Sequence, residues 1–295
     1  MDQDKKKTST AEQQLLPTIE PSEDDMIQMA IKMPFEKKVD KAIGLLQLYK
    51  PTNHRNSGGK DSVATKWLCD KAGIEYKSTY SNTTIDPPEL VEFIKKHHPN
   101  TEWIESGHGH LVLERMVEKM NMPTRRGAWC CDEYKDCCRG HTCEFSTKCL
   151  GVRALESAKR SKMWKPFLTT GRGDVVVAPV VYWTEDDIWR LIKENNIPYC
   201  ELYDQGWTRI GCVGCPKNEK ARKREFALKP EFESIWKEGA FRCWERGQTV
   251  LNRKGKRYFV SKFSSPDMLW DWWMTGVNEN AETNCIFEEM MEGVQ

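Results

Sequence analysis

Apolar residues recur at helical spacing along much of the chain, and proline or glycine divides them into elements. From Asp24 to Tyr49 the positions Met26, Met29, Ala30, Val39, Ala42, Ile43, Leu45, Leu46 and Leu48 predict one helical region broken near Pro34. Val63, Ala64, Trp67, Leu68 and Ala72 predict a helix that opens at Asp61 and stops at Gly73. Ile74, Tyr76, Ser78 and Tyr80 alternate with polar residues as in a strand, and Asn82-Thr83-Thr84 forms its polar end. Asp86, as an N-cap before Pro87 and Pro88, opens a helix carrying Leu90, Val91 and Ile94. Thr101 to Glu105 reads as a short strand, and Leu111, Leu113, Met116, Val117 and Met120 as a helix leading to Pro123. Val175 to Val181 is a buried-strand pattern. Thr184-Glu185-Asp186-Asp187 is a capping-box start for a helix with Ile188, Trp189, Leu191 and Ile192. Strand and helix in alternation predict an α/β fold with a doubly wound, mostly parallel sheet. Residues 1–22 are polar and read as a disordered tail, residues 23–216 as the α/β unit, and residues 217–295 as a basic, then aromatic, helical C-terminal appendage.

One stretch interrupts this pattern with chemistry. In Ser57-Gly58-Gly59-Lys60-Asp61-Ser62 two adjacent glycines allow φ > 0 and close approach of the backbone to a ligand, directly before a helix N-terminus. Unpaired N–H groups, the Lys60 charge and the Ser57 and Ser62 hydroxyls suit an anion such as phosphate or sulfate. Lys60 is expected to act as a mobile point charge. The string is not a Walker A loop, because the glycines are adjacent and Asp61 follows the lysine.

Cysteine usage supplies a second signal. The chain has 12 cysteines and no export signal at its start, so metal or redox chemistry in the cytoplasm is expected rather than a disulfide framework. Cys130-Cys131 and, further on, Cys212-Val213-Gly214-Cys215 present two thiol pairs that together offer four ligands to zinc or to an iron–sulfur cluster; spacing alone leaves both open. Cys137, Cys138, Cys143 and Cys149 surround His141 and are candidates for a second metal site. The formal charge of +1 provides no global field toward nucleic acid or membrane, and no apolar run is long enough to span a bilayer. Most of the 12 tryptophans are expected in the core. A nucleic-acid surface built from Lys220, Arg222, Lys223, Arg224 and nearby aromatics is the sharper alternative.

The Ser57–Ser62 string resembles the modified phosphate-binding loop of the ATP pyrophosphatase superfamily. Adjacent cysteines, a long interval and C-x-x-C resemble the iron–sulfur branch of the phosphoadenosine phosphosulfate (PAPS) reductase family. So do Gly151-Val152-Arg153-Ala154-Leu155-Glu156-Ser157-Ala158-Lys159-Arg160 and the Leu202–Cys212 approach to the second pair. The resemblance implies an adenosine nucleotide, whether PAPS, adenosine phosphosulfate or ATP. Ser57, Gly58, Gly59, Lys60, Asp61, Ser62, Thr83, Arg153 and Arg160 would bind it, and Lys60 and Ser57 would serve catalysis. It also implies a [4Fe-4S] cluster on Cys130, Cys131, Cys212 and Cys215; adjacent cysteines are an awkward chelate for tetrahedral zinc. The family's reductases carry a nucleophile in a Glu-Cys-Gly-x-His segment, whereas Glu282-Thr283-Asn284-Cys285-Ile286-Phe287 keeps only Cys285. In that chemistry a thiol reductant or sulfur-donor protein is the expected partner. Relatives that cleave ATP with Mg2+ and thiolate a nucleic acid suggest a second reading, and a cluster-bearing binding protein without catalysis a third. The family normally leads into the loop on a buried hydrophobic strand. Here Lys50-Pro51-Thr52-Asn53-His54-Arg55-Asn56 is polar, so the first strand is expected to be abbreviated and frayed, or else the chain has diverged there.

Overall fold

The computed structural model describes residues 23–105, 111–135, 147–169, 173 and 175–276. Helix α1 (Glu23–Ile31) is separated from α2 (Phe35–Tyr49) at Pro34, whose ring lacks the N–H that a continuous helix would need. A three-residue strand, β1 (Asn53–Arg55), feeds the glycine loop and α3 (Lys60–Ala72). The chain continues through β2 (Lys77–Ser81), α4 (Pro88–His97), β3 (Glu102–Ile104) and α5 (Val112–Lys119). After β4 (Thr147–Cys149) come α6 (Ala158–Met163), β5 (Phe167–Thr169), β6 (Val175–Val177) and α7 (Glu185–Glu194).

Among the described residues six strands form one sheet in the order β3-β2-β1-β4-β6-β5, and only the β5–β6 pair is antiparallel. The chain winds from β1 outward to β3, then crosses back to β4 and β6, which is the doubly wound arrangement. Strand direction of travel therefore reverses between β1 and β4, the place where open α/β sheets bind ligands at their carboxyl ends.

Strand β1 corrects the expectation of fraying. It is short, yet it is the central strand, paired in parallel with β2 on one side and β4 on the other. Its polar side chains are stabilised by partners. Thr79 Oγ1 donates to Asn53 Oδ1 at 3.0 Å, and Arg55 Nη2 donates to Ser81 Oγ at 2.8 Å. His54, 0% exposed, has Nε2 3.1 Å from the Ser62 carbonyl oxygen, which ties the strand to the first turn of α3. Below the loop, Asn56 Nδ2 donates to Thr101 Oγ1, which in turn contacts Ser78 Oγ. Apart from His54 Nδ1, which has no partner among the described residues, these buried and half-buried polar groups have their desolvation offset by hydrogen bonds, and the strand is not a hydrophobic one.

Other expectations shift locally. Asp86 does not cap α4, whose N-cap is Pro87; its carboxylate instead accepts a hydrogen bond from Tyr80 Oη at 2.6 Å. The strand foreseen from Ile74 begins at Lys77, and Ser78 to Ser81 are all buried, as befits an interior parallel strand. The Val175–Val181 run is strand only to Val177. Thr184 caps α7 as foreseen, with a reciprocal bond from its N–H to Asp187, and Asp187 also takes Lys38 Nζ at 2.5 Å, pinning α2 to α7. β4 and β5 have no apolar signature of their own in the sequence.

The C-terminal helices α8 (Glu219–Leu228), α9 (Pro230–Thr249) and α10 (Pro266–Thr275) bury their aromatics. Trp236 stacks on Trp273 at 4.8 Å, and their indole N–H groups donate to Val213 O and Pro123 O. Arg222 is also buried, its guanidinium over the Trp273 ring, so Arg222, Phe226 and Trp236 form core rather than a nucleic-acid face. Among the described residues no helix is long and apolar enough to cross a membrane.

Burial holds the His54 pKa down to about 3 from its ordinary 6.5, and that of His98 to about 4. The unfolded chain therefore takes up these protons first; the stability they represent is complete above pH 6.5 and is lost as pH falls toward 3. His54→Gln is expected to remove up to about 1.4 kcal/mol per pH unit from the acid slope below pH 6. Denaturant unfolding of both proteins at several pH values reads it directly.

Candidate functional site at the carboxyl edge of the sheet

The loop hangs from the carboxyl end of β1, and its backbone is held from inside. Ser57 N–H donates to Ser62 Oγ at 3.0 Å, and Gly58 N–H donates to Asn56 Oδ1 at 3.0 Å. Gly58 has φ +69°, and a Cβ there would come within 2.5 Å of Leu90 Cδ1 and 2.9 Å of Ile94 Cδ1. Gly59 differs: its φ is −73°, and its hydrogen-for-methyl position faces Tyr203 Oη, Ser57 Oγ and Ile210 O at 3.5–3.9 Å. Gly59 thus sits in ordinary contact with two hydroxyls at the N-terminus of a 13-residue helix, where the backbone dipole favours an anion.

Lys60 is not the mobile charge foreseen. It is 4% exposed, with Nζ 3.0 Å from Thr208 O, 3.3 Å from Glu185 Oε1 and 5.3 Å from the centre of the Tyr203 ring. Across the switch point, Gly151 comes so close to α3 that a Cβ would lie 2.5 Å from Asp61 O. Arg153, buried beside it, pairs with the Asp61 carboxylate. Arg153 thus borders the loop, whereas Arg160 pairs with Glu156 one helical turn back on the chain.

Both cysteine pairs rest on the same edge of the sheet. After Cys130 the chain makes one π-helical turn, Cys131–Lys135, and the Lys135 carbonyl accepts hydrogen bonds from Arg55 at the end of β1 and Ser81 at the end of β2. On the second segment Val213 N–H donates to Ile85 O at 2.9 Å, and Cys212 Sγ lies 3.4 Å from Thr83 Oγ1. Gly214, at φ +72°, has no room for a Cβ beside Phe226.

The thiols interact electrostatically. The hydrogen bond to Cys131 raises the Cys130 pKa, as do burial and the charges of Cys131, Cys212 and Cys215. The same hydrogen bond, from Cys130, lowers Cys131 to about 6 against the opposing effect of burial, helped by Lys217 and Lys135. Burial pushes Cys212 up, with Asp86 adding to it and Lys135 opposing. Burial lowers the Lys135 pKa, but Cys212 and Asp86 outweigh it, so the ammonium is favoured. Four thiols amid cationic Lys135 and Lys217 are a donor set suited to an anionic iron–thiolate cluster, whose ligands are deprotonated. Among the described residues no three His, Cys, Asp or Glu side chains converge on the position of a single metal ion.

Cys149 lies in the core, its sulfur 3.7 Å from that of Cys69. Cys137, Cys138, Cys143, His141 and Cys285 fall outside the described residues. Lys135, Tyr203, Thr208, Glu185 and Asp86 belong to the site although sequence reasoning gave them no part in it. Lys135 follows Cys131 by one helical turn, and Tyr203 sits in the segment approaching the second pair, which are the only signals that could have pointed to them.

Residues 52–218 match the family model described as the phosphoadenosine phosphosulfate reductase domain. The chain belongs to this family. The part that matches this reductase domain runs from just before β1 to just after Cys215, and so contains the loop and both thiol pairs. An uncharacterized protein of Methanocaldococcus jannaschii is 24% identical over 250 residues, covering 78% of this chain and 48% of the relative. The adenosine 5'-phosphosulfate reductase of Oceanobacillus iheyensis is 42% identical over 67 residues, 22% of this chain and 27% of that enzyme. The chain thus spans about half the length, or less, of these curated relatives. A crystal structure of phosphoadenylyl-sulfate (PAPS) reductase from Candida auris, in a phosphate complex, aligns with a TM-score of 0.45 at 15% identity, covering 66% of this chain and 97% of that one.

The two loop glycines should separate on mutation. Gly58→Ala is expected to cost roughly 1–3 kcal/mol in denaturant unfolding, from the left-handed backbone and the contact with α4. Gly59→Ala, whose backbone any residue adopts, should stay within about 0.5 kcal/mol of the parent.

Proposed function

We propose that this chain is a sulfonucleotide reductase-type enzyme that binds the anionic part of an adenosine nucleotide in the Ser57–Ser62 loop and acts on it beside a [4Fe-4S] cluster. The observation that carries this reading is the meeting of an anion cradle and a four-thiol set at one sheet edge. The cysteine segments are bonded to the ends of β1 and β2, while the cradle hangs from β1 itself. Family membership over residues 52–218 supports it.

In this reading Ser57 receives phosphate or sulfate oxygens in the field of the α3 N-terminus, Ser62 holds the loop by taking the Ser57 N–H and donating to the Arg55 carbonyl, and Thr83 orients the edge toward Cys212. Lys60 and Arg153 hold the loop in shape through Thr208, Glu185 and Asp61. Cys130, Cys131, Cys212 and Cys215 would hold the cluster, which supplies concentrated iron–thiolate charge and electron-transfer capacity next to the substrate. Lys135, between Cys212 and Asp86, balances negative charge at that edge. A thiolate, for which Cys285 is the candidate, attacks the sulfate sulfur. The sulfur–oxygen bond to the nucleotide phosphate breaks, and the nucleotide leaves with that electron pair. A thiol reductant then releases sulfite and leaves a disulfide. The cytoplasm, where thiols stay reduced, is the proposed setting.

One sequence observation favours a second reading. The Cys285 segment lacks the glycine and histidine of the reductase tail, so the loop would instead bind ATP with Mg2+ and adenylate an acceptor, a nucleic acid being the candidate, for sulfur from a donor protein. The non-catalytic reading drew on the polar lead-in to the loop, and that lead-in is an intact central strand.

Anaerobically purified protein should reduce adenosine phosphosulfate or PAPS to sulfite. Release of pyrophosphate from ATP without sulfite formation would favour the second reading, and silence in both assays would sink the enzymatic one. Gly59→Ala, which places a methyl group in the cradle, is expected to lose nucleotide binding at least tenfold while folding normally. Cys212→Ala with Cys215→Ala should abolish iron binding; iron retained at the parental level would rule out this ligand set.

A further inference from the structure

Beside Gly59 stands a side chain that belongs to neither the loop nor its helix. Tyr203 sits on a single 3-10 turn, Glu201–Tyr203, well over a hundred residues along the chain from Lys60. Its hydroxyl oxygen accepts the Lys60 N–H at 2.9 Å, the first backbone donor of α3 and one that an anion at a helix N-terminus would otherwise use. The same oxygen stands 3.5 Å from the position a Gly59 methyl would take, and Ser57 Oγ stands 3.6 Å from it. The ring is fixed from behind by Trp189 and Tyr199, edge-on at 5.2 Å and tilted at 6.5 Å. A phenol that accepts one hydrogen bond still has its own proton to give. Among the described residues that proton has no acceptor. Burial raises the phenol's pKa well above its ordinary value, so the proton stays in place at every working pH.

We infer that Tyr203 is a ligand residue of the anion cradle: its O–H donates to a phosphate or sulfate oxygen of the bound nucleotide, while the Lys60 N–H behind it polarises the phenol. The helix N-terminus then acts on the ligand through the tyrosine hydroxyl instead of directly, and the cradle grips with two hydroxyls, Ser57 and Tyr203, both beside Gly59. Hydrogen bonds polarise one another along such a chain. The tyrosine also places a ligand contact on the segment that leads, through Thr208, to Cys212.

The inference rests on the nucleotide reading, and the test separates the two. Affinities of wild-type and Tyr203→Phe protein are measured by calorimetry for adenosine 5'-phosphosulfate, ATP, inorganic phosphate and adenosine, with thermal unfolding of the free proteins as the control for folding. The expected result is an affinity loss of about tenfold for the probes that carry an anion, with adenosine unchanged and the same unfolding midpoint. Equal affinities of the two proteins for the anionic probes would overturn the role of Tyr203 and leave the nucleotide reading standing. An equal loss for adenosine would also overturn it, because the hydroxyl would then be shaping the pocket, not holding the anion. Wild-type binding of inorganic phosphate alone, weakened by the substitution, would uphold Tyr203 and remove the nucleotide. Wild-type protein that binds none of the four probes would remove both. Should Tyr203→Phe unfold early, Tyr203→His, which restores a donor on a ring, is expected to recover part of the anion affinity; no recovery would count against the inference.

Discussion

The approach of Gly151 to the first turn of α3 is the contact on which the site's geometry depends. No side chain fits between Gly151 and the Asp61 carbonyl, so the segment after β4 and the helix after β1 share a backbone surface. Arg153 then neutralises the Asp61 carboxylate at the same junction. A cleft at the switch point of a doubly wound sheet is normally open because the two chains diverge there. Here the Gly151 contact and the Arg153–Asp61 pair instead hold the two chains together beside the loop.

The central strands show how a polar sequence can occupy the middle of a sheet. Asn53, His54, Arg55, Ser78, Thr79 and Ser81 bond to one another, to the first turn of α3 and to the turn that ends at Lys135. A hydrophobic strand would bury more area, but it could not register the loop and the cysteine turn against the sheet edge. Each hydrogen bond contributes little net energy, but breaking one leaves a costly buried group behind. Specificity of position is what the arrangement gains.

Much of the site could be read from residue types, because the chemistry is local. The glycine pair before a helix and the two spaced cysteine pairs announce themselves in short strings, and the structure brings both to one edge. What escaped was long-range. Lys135 and Tyr203 lie in the cysteine segments, as does Thr208, but nothing in those segments indicates that Tyr203 and Thr208 reach the glycine loop or that Lys135 reaches Cys212. Asp86 had a reasonable role as a helix cap, yet Tyr80 claims it. Strand β1 was misjudged because alternation of apolar residues signals burial against a hydrophobic layer, and this strand is buried among polar partners. β4 and β5, at three residues each, are too short for any period to appear.

The internal engagement of Lys60 has a consequence for how ligands are discriminated. Its ammonium is shared among Thr208, Glu185 and the face of Tyr203, so in the proposed reading an anion at the loop meets the hydroxyls of Ser57 and Tyr203 in place of a free cation. Attraction between exposed charges is screened by salt over about 8 Å at physiological ionic strength, whereas short hydrogen bonds in a confined concavity are scarcely affected. Recognition here would select for the shape and the acceptor directions of a tetrahedral oxyanion and would be nearly blind to ionic strength. Abundant polyanions in the surrounding solution, matched only in charge, would gain no hold on the loop.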